Sequence, residues 1–357
     1  MDLKMVEATE EMADQLVSFH NSHFKDNRRP EHWIWEYKGC YPDLAIFTVM
    51  TERDRIAGTQ GLLPIYLRAA GERILSGKPE NSLVARDLRG GDIYNSIYVS
   101  VKSVARERGY QCLWGYGPLY KASLAAGYTV HKDAMCSLGA VISPASAVSD
   151  ALKSKKHGLK TKIAGVAGRL LLWIYGAGLR ASTTSSNSDY VLKSELSSQT
   201  DLDDLYRRLR RRFPDMIHID LDERYLKWRI HTNPFCTYKT YFVYRGAQLE
   251  AYSFVNSQET TRAFLTDFTF DDVGAAKFLL STMIDDLKAQ STGVLIFIGN
   301  AENVLIQNTF KLLRRWGFAH FSSTNFHTQN IQLESGEMIS RPENWYMTGT
   351  GSEGSDV

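Results

Sequence analysis

KPENSLVARDLRGGDIYNSIYVSVKSVARERGYQCLWGYG, residues 78–117, is the stretch from which the fold is read. Residues 82–86 carry Leu83 and Val84 and read as a strand. Residues 87–92, DLRGGD, form a polar turn with two glycines. Ile93, Ile97, Val101 and Val104 then recur at helical spacing through residue 108. Gly109 ends that helix, because glycine accepts the left-handed conformation a C-terminal cap needs. A second strand follows over 110–115, with Cys112, Leu113 and Trp114 apolar.

A strand, a glycine turn and a helix in that order have a chemical use. The first N–H groups of a helix lack helical partners, and with the helix dipole they make a site for an anion such as a pyrophosphate. Arg86 and Arg89 flank the turn and add positive charge. An ordinary crossover with a capped helix has the same local pattern. The wider context resembles the acetyl-CoA-binding core of the GNAT acetyltransferase superfamily. There a strand leads into an R-x-x-G-x-G/A loop at a helix N-terminus, and a second strand follows. A short helix ending in Gly-Phe or Gly-Tyr comes next, matched here by ASLAAGY, residues 122–128. The resemblance implies a cofactor site made of Leu83, Val84, Arg86, Arg89, Gly90, Gly91, Asp92 and Ile93. Counted from Arg89, the two small positions of the loop fall on Asp92 and Tyr94, a departure from the pattern. An aspartate facing a pyrophosphate repels it unless the carboxylate points away.

At 357 residues, with a net charge of +2, the composition is that of a globular protein and does not call for nucleic acid. Cys40, Cys112, Cys136 and Cys236 are far apart and contain no C-x-x-C, so reduced thiols of a cytoplasmic protein are expected. The acidic, amphipathic start lacks a signal-peptide pattern. Residues 9–23 read as a helix, with Met12, Leu16 and Phe19 on one face, and Trp33 to Tyr37 as an apolar anchor. His20, His23 and His32 gather near the end of that helix, but no carboxylate or cysteine completes a ligand set, so no metal is expected. Strands are expected over 44–50 and 55–63, with further strands over 64–70 and 73–77.

Between Asp150 and Asp189 the chain has no acid, and bases from Lys153 to Arg180 accompany the apolar run Leu170 to Tyr175. This reads as a linker helix. Its basic, Trp-containing face suits peripheral contact with an anionic membrane through residues 153–180, and a full span needs ~20 apolar residues that are not present. The second half repeats the first. Trp35 and Gly58 are spaced as Trp228 and Ala251 are, and Trp316-Gly317-Phe318 matches Ala126-Gly127-Tyr128. The second copy reaches its helix through DFTFDDV, residues 267–273, which offers acids and no arginine. The basic run RRLRRR, residues 207–212, reads as a solvated helix face.

The expected architecture is therefore α/β with a mixed sheet, in the form of two tandem GNAT-like domains joined by a basic helical linker. An N-terminal domain over 1–145 carries the acyl-CoA site. A linker spans 146–190, a C-terminal domain without a clear cofactor loop 191–345, and a tail 346–357. The resemblance implies N-acetyl or other N-acyl transfer from acyl-CoA to an amine of a small molecule or glycan precursor, without a metal. Glu80 is the expected base, and Tyr120 or Tyr116 the expected acid. At fold level the chain is also similar to GNAT-type proteins of bacterial surface-polysaccharide pathways, which implies a place in the cytoplasm or at the inner face of the membrane. Two other readings compete: an aminoacyl transferase of the peptidoglycan-bridge type, and an inactive pair serving as a membrane-surface scaffold.

Overall fold

A computed structural model describes residues 3–24, 27–53, 55–90, 92–118, 120–147, 189–257, 262–334 and 336–351. The first half runs β1 (Leu3–Glu7), α1 (Ala13–His23), α2 (Pro30–Lys38), β2 (Ile46–Glu52), β3 (Arg55–Ala69), β4 (Glu72–Val84), α3 (Ile93–Glu107), β5 (Cys112–Gly117), α4 (Tyr120–Ala125) and β6 (Thr129–Val141). The second runs β7 (Tyr190–Lys193), α5 (Thr200–Arg212), β8 (Ile217–Ile219), α6 (Glu223–Leu226), β9 (Thr237–Arg245), β10 (Gln248–Ser257), β11 (Arg262–Phe270), α7 (Val273–Ala289), β12 (Val294–Asn300), α8 (Val304–Arg315), β13 (Ala319–Asn330) and α9 (Gly336–Ser340). Most of the basic segment expected as a linker, including all of 153–180, lies outside the described residues. No helix among the described residues is long and apolar enough to cross a membrane.

The chain forms two compact units. Unit 1 consists of Met1–Ala134, Asp215–Asp220 and Thr324–Trp345, and unit 2 of Met135–Pro214, Leu221–Ser323 and Tyr346–Val357. Each unit thus draws a strand from the other half of the sequence. Unit 1 orders its strands β1-β2-β3-β4-β5-β13. All neighbours are antiparallel except β4 and β5, which are parallel. Unit 2 repeats the scheme as β7-β9-β10-β11-β12-β6, with β11 and β12 its parallel pair.

The duplication extends to the caps. Gly127 and Gly317 both have φ of 85°. Each ends a helix with the same pair of bonds: Gly127 and Tyr128 donate to Leu124 and Ser123, and Gly317 and Phe318 donate to Arg314 and Leu313. Gly109, at φ 80°, closes α3 in the same way that Ser291, at φ 60°, closes α7.

Alternation along β3 builds two cores. Leu62 faces α3 with Leu75, Ile97 and Leu113. Leu63 faces α1 and α2 with Leu16, Trp33, Tyr37 and Phe47. Residues 55–63 and 64–70, expected as separate strands, are one strand through Pro64. The proline is tolerated because β2 pairs with β3 only as far as Leu62, and β8 takes over that side at Leu67. Trp33 to Tyr37, expected only as an apolar anchor, belongs to α2, which Pro30 starts.

Gly61 lets α2 approach the sheet. A Cβ there would stand 2.0 Å from the Tyr37 hydroxyl. Gly61→Ala is expected to lower stability by about 1–3 kcal/mol, as overpacking does. Its denaturant midpoint should fall accordingly, with the secondary structure of the folded protein unchanged.

Candidate active site

In unit 1 the parallel ladder of β4 with β5 has only two pairs, Ser76–Cys112 and Gly77–Leu113. β4 continues to Val84 and β5 to Gly117 without pairing further. Two residues past the last pair stands Pro79, which has no N–H to donate. It faces Gly115, whose absent Cβ would lie 3.7 Å from the proline Cδ. The two strands therefore part, and each keeps its other neighbour: β3 for β4, and β13 for β5. The result is a cleft edged by backbone.

β4 is bulged inside the cleft. Thr59 pairs with Leu83 and Gly61 with Glu80, so Asn81 and Ser82 together oppose Gln60. Asn81 has φ of 54°, a left-handed conformation that asparagine tolerates better than most residues. Its side chain is held by α1, α2 and the chain between them. Its carbonyl oxygen lies 3.0 Å from His20 Nδ1, and its amide donates to Tyr37 Oη at 2.9 Å and to Glu36 Oε2 at 3.2 Å. Arg28 donates to Glu36 Oε1 at 3.2 Å, and Thr59 Oγ1 to the Asn81 carbonyl at 2.8 Å. Asn81 carries no signal in the sequence. Nothing local signals a bulge, and its partners lie far away in the chain.

Glu80 sits beside this bulge, and its carboxylate forms an ion pair with the buried Lys78 ammonium. Lys78 Nζ also stands 5.6 Å from the centroid of the Tyr116 ring. Lys78 opposes Leu63 and Glu80 opposes Gly61, so both lie on the α1–α2 face of the sheet. The structure thus brings Glu80 and Tyr116 to one lysine. Tyr120 is exposed at the start of α4.

The loop after β4 leads into α3. Leu83 is buried toward α1, and the half-buried Val84 packs toward α3. Arg86, Arg89, Gly90 and Asp92 are exposed, Ile93 is buried, and Gly91 lies outside the described residues. Gly90 has φ of 88°. Arg86 donates to the Ser22 carbonyl at 3.3 Å and Arg89 to the Val84 carbonyl at 3.3 Å. Asp92 is the N-cap residue of α3, yet its side chain caps no backbone N–H and instead accepts from Asn95 Nδ2 at 3.1 Å. The first turn of α3 contains no acid. Asp87 is turned to Arg55 at 2.8 Å, and that hydrogen bond holds its carboxyl below the usual range. The three histidines have separate partners: His20 meets Asn81, His23 the Val84 carbonyl, and His32 the Arg29 N–H. Among the described residues no cluster could hold a metal.

Unit 2 treats the same place differently. β11 and β12 pair from Arg262–Val294 to Leu265–Phe297 and then part. The gap is filled by the chain itself. Asn300 N–H donates to the Met347 carbonyl at 3.0 Å, Gly299 bridges Thr348, and Thr350 Oγ1 donates to the Thr266 carbonyl at 3.0 Å. Residues 346–351 are buried throughout. The start of α7 is closed as well, since Asp272 accepts from Ala275 N–H at 2.7 Å. In the basic run on α5, Arg207, Arg211 and Arg212 are exposed, as expected of a solvated face, while Arg208 Nε donates to Asp271 at 2.6 Å and Arg212 pairs with the same carboxylate.

A three-strand antiparallel meander, a crossing helix and a parallel strand that parts from its neighbour define the GNAT fold, present here in tandem. No family model and no curated protein matches the sequence. Solved structures match in fold. A GCN5-related N-acetyltransferase from Anabaena variabilis superposes with a TM-score of 0.62 at 12% identity, over 92% of this chain and 73% of that one. A tandem GNAT protein from the clavulanic acid biosynthesis pathway gives 0.60 at 11%, over 93% and 100%. A GCN5-related N-acetyltransferase from Kribbella flavida gives 0.60 at 10%, over 92% and 72%.

The filling of unit 2 has a pH signature. Asp267 on β11 is fully buried among hydroxyls, accepting from Thr269 at 2.8 Å, Tyr252 at 3.0 Å and Thr350 at 3.3 Å. Burial pushes its carboxyl up from the usual 3.8 to about 6. Between those values the folded chain holds a proton that the unfolded chain has lost. Stability therefore falls as pH rises from about 4 to about 6 and stays lower above, by on the order of 1–3 kcal/mol. Asp267→Asn mimics the protonated acid. Unfolding of the two proteins across pH 4 to 7 should show this loss in the wild type and not in the variant.

Proposed function

We propose that the chain is an acyl-CoA-dependent N-acyltransferase, acting on an amine of a small molecule or glycan precursor, with unit 1 as its working half. The observation that carries this reading is the parting of β4 and β5 at Pro79, beside a bulged strand that leads to a helix start whose N-cap residue, Asp92, makes no side-chain cap bond. The fit to an acyl-CoA is chemical. The N–H groups at the start of α3, with the exposed Arg86 and Arg89, suit a pyrophosphate, and Leu83, Val84 and Ile93 supply the adjoining strand and helix start. Asp92 is compatible because its carboxylate is engaged by Asn95. The parted strand edges offer backbone groups to an extended arm, as a sheet edge does to a peptide.

The thioester supplies an activated acyl group. The chain's own part is to take a proton from the amine, to stabilise charge at the carbonyl oxygen, and to return a proton to the leaving sulfur. Glu80 is assigned the first task. A backbone N–H of the Asn81–Ser82 bulge is assigned the second, held in place by the contacts of Asn81. Of the two tyrosines, Tyr116 is favoured over Tyr120 for the third, because it lies with Lys78 on the face that carries Glu80. The closed gap of unit 2 supports a supporting rather than a reacting role for that half.

Two variants test the assignment. Glu80→Gln should lower kcat by about 10²–10⁴-fold with acetyl-CoA affinity nearly unchanged, and the loss should shrink at high pH, where the amine is already neutral. Full activity of this variant from pH 6 to 10 rules Glu80 out as the base. Arg89→Ala should weaken acetyl-CoA binding by about 1.5–3 kcal/mol in calorimetry, and unchanged affinity removes Arg89 from the site.

A further inference from the structure

Lys78 is the first residue of β4 beyond its last pair with β5, so it stands where the cleft of unit 1 closes. It is only 5% exposed. Its ammonium is in contact with the Glu80 carboxylate and above the Tyr116 ring. A buried lysine–glutamate pair adds little net stability, because desolvation offsets most of the attraction. Burial penalises both charges of the pair, and one proton shift from Nζ to the carboxylate removes both and leaves a nucleophilic amine.

We propose that Lys78 is itself an acyl acceptor: unit 1, supplied with an acyl-CoA, acylates the Nζ of Lys78. The inference rests on the reading of unit 1 as a thioester-binding unit and deepens it. The ammonium gives one proton to Glu80 and, once the C–N bond has formed, a second to solvent. Nζ attacks the thioester carbonyl, a C–N bond forms, and the C–S bond breaks. The sulfur leaves with its electron pair and takes a proton from the Tyr116 hydroxyl, which regains one from Glu80 through solvent. The net change is ammonium plus thioester to amide, thiol and one released proton, and no further reactant is needed. The amide has no positive charge, so acylation also ends the ion pair and leaves Glu80 without its cation.

The experiment is peptide mapping by mass spectrometry of the full chain after incubation with acetyl-CoA. Lys121 and Lys132, both exposed, are internal controls for plain chemical reactivity. The proposal expects one acetyl group on Lys78 before either control is modified. Lys78→Arg should lose it, and Glu80→Gln should slow it by about 10²-fold or more. Acetyl phosphate, which lacks the CoA moiety, should modify the controls and not Lys78. Modification of Lys78 only after Lys121 and Lys132, or equally by acetyl phosphate, overturns the proposal. Calorimetry on the same sample separates two kinds of failure. Binding of acetyl-CoA with Lys78 left unmodified sinks this inference alone, whereas no binding and no modification sinks it together with the acyltransferase reading.

Discussion

In unit 1 the ladder between two parallel strands stops after Gly77–Leu113, and the next inward-facing residue of β4, Pro79, has no N–H to continue it. The rest of the unit is arranged around that missing bond. β3 and β13 hold the two strands from outside, so they part without unravelling. The bulge at Asn81–Ser82 sits in the opened stretch, where a strand without a neighbour on one side can accept an extra residue. The cores on the two faces then fix α1, α2 and α3 around the opening.

Unit 2 faces the same problem and solves it another way. Past Leu265–Phe297 its parallel strands also part, but a segment of the chain takes the vacant edge and satisfies both sides. A buried sheet edge without partners is costly, so an edge is either reserved for a ligand or filled. The difference between the units is thus a difference in what satisfies their backbone. It also completes the hydroxyl cluster about Asp267, since residues 346–351 bring Thr350 to that carboxylate beside Tyr252 and Thr269.

Much of this was legible in the sequence, for local reasons. The strand, turn and helix of residues 82–108 announce themselves through glycine and helical spacing, and the duplication shows in matching Trp, Gly and aromatic positions. Non-local features were not legible. The exchange of strand ends between the units depends on pairing between residues hundreds of positions apart, as in β5 with β13. The single strand through Pro64 was hidden because proline ordinarily breaks strands, and only the place where β2 ends shows that no bond is lost there. Glu80 stood out by its position before the loop, whereas Lys78, its partner two residues earlier, carried no signal until the strand placed both on one face. The filling of unit 2 was equally silent, since residues 346–351 look like an ordinary tail.

One parted strand pair is thus open to a ligand, and the other is closed by the chain. Calorimetric titration of the full protein with a hydrolysis-resistant thioether analogue of acetyl-CoA tests it most directly. One binding site per chain is expected, lost when the start of α3 is altered and retained when that of α7 is. Two sites, or none, would contradict it.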